Sequence, residues 1–298
     1  EIKAARAAEQ FGVPYTLSTM SICSIEDVSA KTEKPFWFQL YVMKDEDYMS
    51  RLMARAKEAK CSALVITLDL QVLGQRHKDI KNGLSAPPKL TPKTLLNLST
   101  KWGWGMEMLR TKRKNFGNVV GHAKGVSDTT SLSSWTAEQF DPKLDWDKIK
   151  ALRKKWDGKV ILKGILDVED ARLALNVGAD AIIVSNHGGR QLDGAQSSIR
   201  ALPSIVDAVG DKIEVHMDGG IRSGQDVLKA LALGAKGTYI GRSYIYGLGA
   251  MGQKGVRLSL DIIQKELETT MALCGHRSLD QLSRDTLRIP ANFSGDWT

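Results

Sequence analysis

His187 and Arg190 stand three residues apart in the run Ser185-Asn186-His187-Gly188-Gly189-Arg190, directly after the apolar stretch Ala181–Val184. An imidazole ordinarily exchanges a proton near neutral pH, and a guanidinium grips a carboxylate or phosphate through two parallel hydrogen bonds. Set together past the end of a strand buried on both faces, the pair suits proton removal from an anionic substrate. The glycine pair permits a tight turn and leaves room for something flat to approach. Taken alone, the motif reads equally well as a histidine satisfied within an ordinary loop. The decision rests on what other segments bring to the same edge.

Four more apolar runs end in polar groups. Ser18 closes Pro14–Ser18, and Gln39 and Tyr41 lie in Phe36–Val42. Thr67 and Asp69 end Ala63–Asp69, with Arg76 shortly after, and Lys163 ends Val160–Lys163. A lysine at the end of a buried strand requires an anionic partner. Two consecutive strand-to-helix turns, Met217-Asp218-Gly219-Gly220-Ile221-Arg222-Ser223 and Tyr239-Ile240-Gly241-Arg242-Ser243, each combine glycine amides with an arginine. That is the chemistry of a phosphate site at helix N-termini, and in barrels it falls after strands seven and eight. Asp218, at a strand tip, is placed to accept from a sugar-like hydroxyl.

Such residues meet only if the strands that carry them lie side by side and point the same way. With Ala181–Ser185, Ile213–Asp218 and Gly237–Gly241, the runs number seven, and helical patterns separate them. Glu1–Phe11 reads as a helix with Ile2, Ala5 and Ala8 on one side and Gly12 as its stop. Met49, Leu52, Met53 and Ala56 recur at helical spacing. Asp167 caps a helix that Gly178 ends, and Ser223 caps one that Gly234 ends. Strict alternation implies a parallel α/β sheet. Seven strands behind a leading helix fit a (β/α)8 TIM barrel lacking its first strand, one domain over residues 1–298, with an upstream segment expected. Residues 82–144 form a long insertion where connections usually take about 2–6 residues. The insertion carries Trp102, Trp104, Met106, Met108 and Leu109, then Arg110, Lys112, Arg113 and Lys114. No clean amphipathic helix can be drawn through it. Two readings stand: an anchor on anionic lipid, or a lid over the barrel mouth.

Composition narrows the partners. The net charge of +8 suits anionic ligands or an acidic membrane surface, and no nucleic-acid motif accompanies it. No stretch approaches the roughly 20 apolar residues of a membrane span. Cys23, Cys61 and Cys274 lie far apart without metal spacing, which fits free thiols and no metal site.

Ser185–Asp193, Phe38–Tyr41, Thr67–Asp69 and Asp218–Arg222 together resemble the signature of the FMN-dependent L-2-hydroxy-acid dehydrogenases and oxidases, over nearly the whole chain. The long loop and its ending, Trp135–Phe140, are most similar to the respiratory L-lactate dehydrogenases. The resemblance implies FMN-dependent oxidation of a small L-2-hydroxy acid, L-lactate to pyruvate first, with electrons passing to a quinone or cytochrome. It makes His187 the base, Asp69 its orienting partner, Arg190 and Arg76 the carboxylate clamp, and Tyr41 a donor to the substrate oxygen. Ser18, Gln39, Thr67, Lys163 and Ser185 would meet the flavin, and Asp218 the ribityl chain. Gly219, Gly220, Arg222, Gly241 and Arg242 would hold the phosphate. It further implies a homo-oligomer, tetrameric in the family, and a cytoplasmic location with peripheral contact to the inner membrane through 82–144. The alternatives are an oxidase that uses oxygen, and a truncated, inert flavin-binding fragment. An FMN-dependent isomerase shares the phosphate turns but has no use for His187 beside two arginines.

Overall fold

The computed structural model describes residues 1–77, 81–82, 92–126, 135 and 138–293. Seven strands appear where the apolar runs place them. They are β1 (Thr16–Ser18), β2 (Trp37–Tyr41), β3 (Ala63–Thr67), β4 (Lys159–Ile165), β5 (Ala181–Val184), β6 (Glu214–Met217) and β7 (Gly237–Thr238). Every pairing is parallel and joins chain neighbours, in the order β1 to β7. This is the curled sheet of a barrel short of one strand. Its edges are β1 and β7, and an apolar cavity of about 490 Å3 is lined by Thr16 of β1 and Thr238 of β7, with Tyr15, Tyr239 and Val256.

Period-two alternation does the positioning. On the concave face Trp37, Ala63, Val65, Ile161, Ala181, Ile183 and Tyr239 pack together, while the opposite residues, Phe38, Leu40, Leu64, Ile66, Leu162, Ile182 and Val184, face the helices. Continuing the concave set toward the strand ends gives Ser18, Gln39, Thr67 and Lys163. The register aligns them: Ser18 opposite Gln39, and Thr67 opposite Lys163. The polar rim is thus the last inward layer of an apolar barrel core.

Helices fill the outer layer. Ile2–Phe11 buries Ala4, Ala5, Ala7 and Ala8, a broader alanine face than the sequence predicts, and leaves Ile2 only partly covered. Glu46–Glu58 buries Tyr48, Met49, Leu52, Met53 and Ala56. Asp167 and Ser223 cap Val168–Asn176 and Gly224–Ala232, the second through a full capping box.

Among its described residues the long insertion includes the helices Pro92–Ser99 and Trp102–Arg110, where the sequence offered no clean amphipathic one. The second buries none of its residues: Trp102, Met106 and Leu109 recur at helical spacing on one side, Trp104 and Met108 lie on the other, and Gly103 and Gly105 lower its intrinsic preference. The returning stretch is pinned by Asn118, whose side chain is wholly buried. Asn118 Oδ1 accepts from the Ile25 amide at 2.9 Å, and its Nδ2 donates to Ser21 Oγ at 3.1 Å and to the Ser18 carbonyl at 3.4 Å. Residues 83–91, 127–134 and 136–137 of the insertion, the last within the Trp135–Phe140 ending, lie outside the described residues.

Candidate active site

The site begins with the backbone at His187. Its φ of 56° lies in the left-handed region, where a residue with a Cβ costs about 1–2 kcal/mol. Three contacts hold that turn. The His187 amide donates to Ser185 Oγ at 3.1 Å, the Gly189 amide to Asn186 Oδ1 at 3.2 Å, and the ring Nδ1 lies 2.8 Å from Asp69 Oδ1. A carboxylate only accepts, so Nδ1 is the donor to Asp69, and in the neutral ring Nε2 is the nitrogen left to accept a proton.

Asp69 fits because of a glycine. Between Lys163 and Ile165 the β4–β5 register slips, and Gly164 adopts φ 103°. A Cβ there would lie 2.8 Å from the Asp69 Cβ and Cγ. The bulge therefore clears the space in which Asp69 turns toward His187.

Lys163 sits between two carboxylates. Its Nζ donates to Ser185 Oγ at 2.9 Å and lies 3.3 Å from Asp218 Oδ2 and 3.8 Å from Asp69 Oδ2. The expected anionic partner is present twice over. Along the adjoining tips, Ser18 Oγ donates to Gln39 Oε1 and Gln39 Nε2 donates to Thr67 Oγ1, each at 2.8 Å. Tyr41 packs edge-on against Phe140, and burial, with the Asp69 charge adding to it, pushes its phenol up to about 12. It therefore stays a hydrogen-bond donor at neutral pH.

Opposite this row the turns after β6 and β7 come together. Gly219, Gly220, Arg222, Gly241 and Arg242 border a cleft of about 580 Å3, and Arg242 Nη2 donates to the Gly188 carbonyl at 3.2 Å. Gly241 begins the helix Arg242–Met251 without any side-chain cap, so the first-turn amides take no side-chain acceptor there. The cleft is also lined by Ser18, Gln39, Tyr41, Thr67, Lys163, His187, Arg190 and Asp218. Three expected residues stand off its lining. Asp69 lies behind His187, and Arg76 lies beside Arg190. Ser185 is wholly buried and accepts from Lys163 and His187, which places it beneath the cleft rather than on a cofactor edge.

Residues 1–289 match the family described as FMN-dependent dehydrogenase. The chain belongs to that family. It is 46% identical over 297 residues to an L-lactate dehydrogenase of Caulobacter vibrioides, covering 97% of this chain and 76% of that protein. Among solved structures it is similar to (S)-mandelate dehydrogenase, a monotopic membrane protein, with a TM-score of 0.90 and 35% identity over 96% of this chain and 76% of that one. It is also similar to mandelate oxidase, with a TM-score of 0.78 and 40% identity over 95% and 72%.

The cofactor of the family fits the residues present. Asp218 Oδ1 is buried without a hydrogen-bond partner, which asks for a donor such as a sugar-chain hydroxyl from within the cleft. The glycine turns with Arg222 and Arg242 suit a phosphate. The linked amide and hydroxyls of Ser18, Gln39 and Thr67 offer both donors and acceptors to a heteroaromatic edge.

Four residues escaped the sequence reading. A glycine inside a strand signals a bulge, so Gly164 was legible in principle. Gly74, Asn118 and Gln191 were not, because each acts on a segment distant in the chain.

Proposed function

We propose that this FMN-dependent 2-hydroxy-acid dehydrogenase oxidises L-lactate to pyruvate, with His187 as the base. The observation that carries the reading is the 2.8 Å Asp69–His187 contact on the rim of a cleft that also holds Arg190, Tyr41 and Lys163. FMN supplies the acceptor for the two electrons that leave C2. His187 Nε2 takes the proton of the C2 hydroxyl, and Asp69 steadies the imidazolium that results. Arg190 and Arg76 bind the carboxylate, and the Tyr41 hydroxyl donates to the substrate oxygen. Lys163, close to two carboxylates, offsets negative charge at that end of the cleft. Loss of one proton to His187 and of two electrons with the C2 hydrogen leaves the 2-oxo acid. L-lactate as substrate is supported by the name of the Caulobacter relative. Anaerobic addition of L-lactate, glycolate and L-mandelate to the FMN-loaded protein should bleach the flavin band, with L-lactate fastest. Faster bleaching by mandelate would reassign the substrate, and rapid peroxide formation on admitting air would make the protein an oxidase.

The acceptor is a quinone or cytochrome reached at a membrane surface. Trp102 and Leu109 are 79% and 78% exposed, and Trp104, Leu95 and Leu96 are exposed with them, close to Lys101, Arg110, Lys112 and Lys114. Aromatics beside a basic cluster suit the interface of an anionic bilayer. Among the described residues no helix is long and apolar enough to cross a membrane.

A further inference from the structure

We propose that Gln191 is a positioning residue that sets Arg76 for the substrate carboxylate, and the inference rests on the clamp assigned to Arg76 and Arg190 above. The two arginines leave β3 and β5, and β4 lies between those strands. No ladder hydrogen bond therefore fixes the spacing of one loop against the other. Gln191 spans the gap with both ends of its amide. Its Oε1 accepts from Arg76 Nη2 at 2.9 Å, and its Nε2 donates to the Val72 carbonyl at 3.0 Å. Arg76 Nε also reaches the Arg190 carbonyl at 3.4 Å.

The backbones interlock where the amide crosses. A Cβ on Gly74 would lie 2.5 Å from the Gln191 carbonyl oxygen, 2.8 Å from its Cα and 2.9 Å from the Arg190 carbonyl oxygen. The 72–76 stretch lies flat on the Arg190–Gln191 peptide, and Gln191 fastens both its ends. One side chain thus ties the orientation of Arg76 to the loop that carries His187 and Arg190. Both guanidiniums are near enough to Tyr41 to act on its phenol, so the strapped loops converge at the proposed substrate oxygen. Arg190 borders the cleft, while Arg76 stands beside it and Gln191 beyond Arg76. The effect of Gln191 on substrate therefore runs through the arginine it holds.

Two titrations on the FMN-loaded protein test this. One follows anaerobic flavin reduction against L-lactate concentration. The other follows the flavin absorbance shift with oxalate, a carboxylate that does not depend on turnover. Gln191→Ala and Gln191→Leu are expected to weaken oxalate and L-lactate binding about tenfold, as loss of a hydrogen bond to a charged group does. The limiting reduction rate should change by less than about threefold and FMN affinity should not change. In an Arg76→Ala background, Gln191→Ala should cost nothing further, because it acts through the missing guanidinium. An equal further loss in that background, a matching loss of FMN affinity, or no oxalate binding by the unaltered protein would overturn the proposal. Absence of reduction by L-lactate with oxalate binding intact would strike the proposed reaction instead, and the oxalate ratios would still decide the role of Gln191.

Discussion

The base and its partner depend on a residue that takes no part in chemistry. Gly164 holds a positive φ and leaves the space that Asp69 occupies. Gly164→Ala brings in both a strained backbone and a clash at 2.8 Å, and either Asp69 or the bulge must move. The expected outcome is a loss of about 1–3 kcal/mol in stability, measured by urea unfolding, and a reduction rate at least about tenfold lower. An unchanged rate would show that Asp69 does not need this place. Tyr41 behaves differently. With its phenol pushed up to about 12, it should stay protonated up to strongly alkaline pH, so no loss of rate above neutrality belongs to it. At this scale the sequence was informative wherever a residue ended a strand. Ser18, Gln39, Thr67 and Lys163 follow from strict alternation on apolar strands. Gln191 and Gly74 did not, since their contacts join loops from strands that are not neighbours, and no local spacing encodes that.

Among elements, the short helix Ile25–Ser29 shows how the rim is braced from outside. Arg55 binds Glu26 through two hydrogen bonds of 2.7 and 2.8 Å and also reaches the Asn118 carbonyl and side chain. The Arg55 hydrogen bond lowers the Glu26 carboxyl from 4.5 to about 2. A carboxyl lowered on folding adds stability that is fully present above its unfolded value and disappears as pH falls through the folded one. The Glu26 side chain is 57% exposed, so solvent screening limits the effect to about 1 kcal/mol or less. The stability difference between the unaltered protein and Glu26→Gln should therefore be present at pH 7, shrink below about pH 4.5 and vanish near pH 2, as read from unfolding midpoints. A difference that grew in acid would contradict the pairing. The insertion was the least legible element. Trp102, Met106 and Leu109 do recur at helical spacing, but Trp104 and Met108 lie on the other side, two glycines interrupt the run and no residue of this helix is buried, whereas Glu46–Glu58 buries five.

For the whole molecule, one face carries the chemistry and the insertion extends beside it. Glu1 accepts from the Ile22 amide in the loop after β1, and Lys3 lies 3.4 Å from Glu107, which sets the Trp102–Arg110 helix next to the active rim. The FMN-loaded protein should sediment with vesicles containing anionic phospholipid and much less with neutral ones. Trp102→Ser with Trp104→Ser should reduce that binding at least about tenfold and leave lactate reduction in solution unchanged. Equal binding by the double variant would remove this surface from contact with the bilayer. The alternating units made the barrel plain from the sequence, since seven parallel strands in chain order admit few other closures.

The central assignment is that His187 takes the proton while the surrounding cleft holds the cofactor and the carboxylate. Its most direct test is rapid anaerobic mixing of L-lactate with the FMN-loaded protein and its His187→Ala variant, following the flavin band. The expected result is that the variant retains FMN and still binds oxalate, but is reduced about 10²–10⁴-fold more slowly. Reduction of the variant at the parent rate would contradict the assignment.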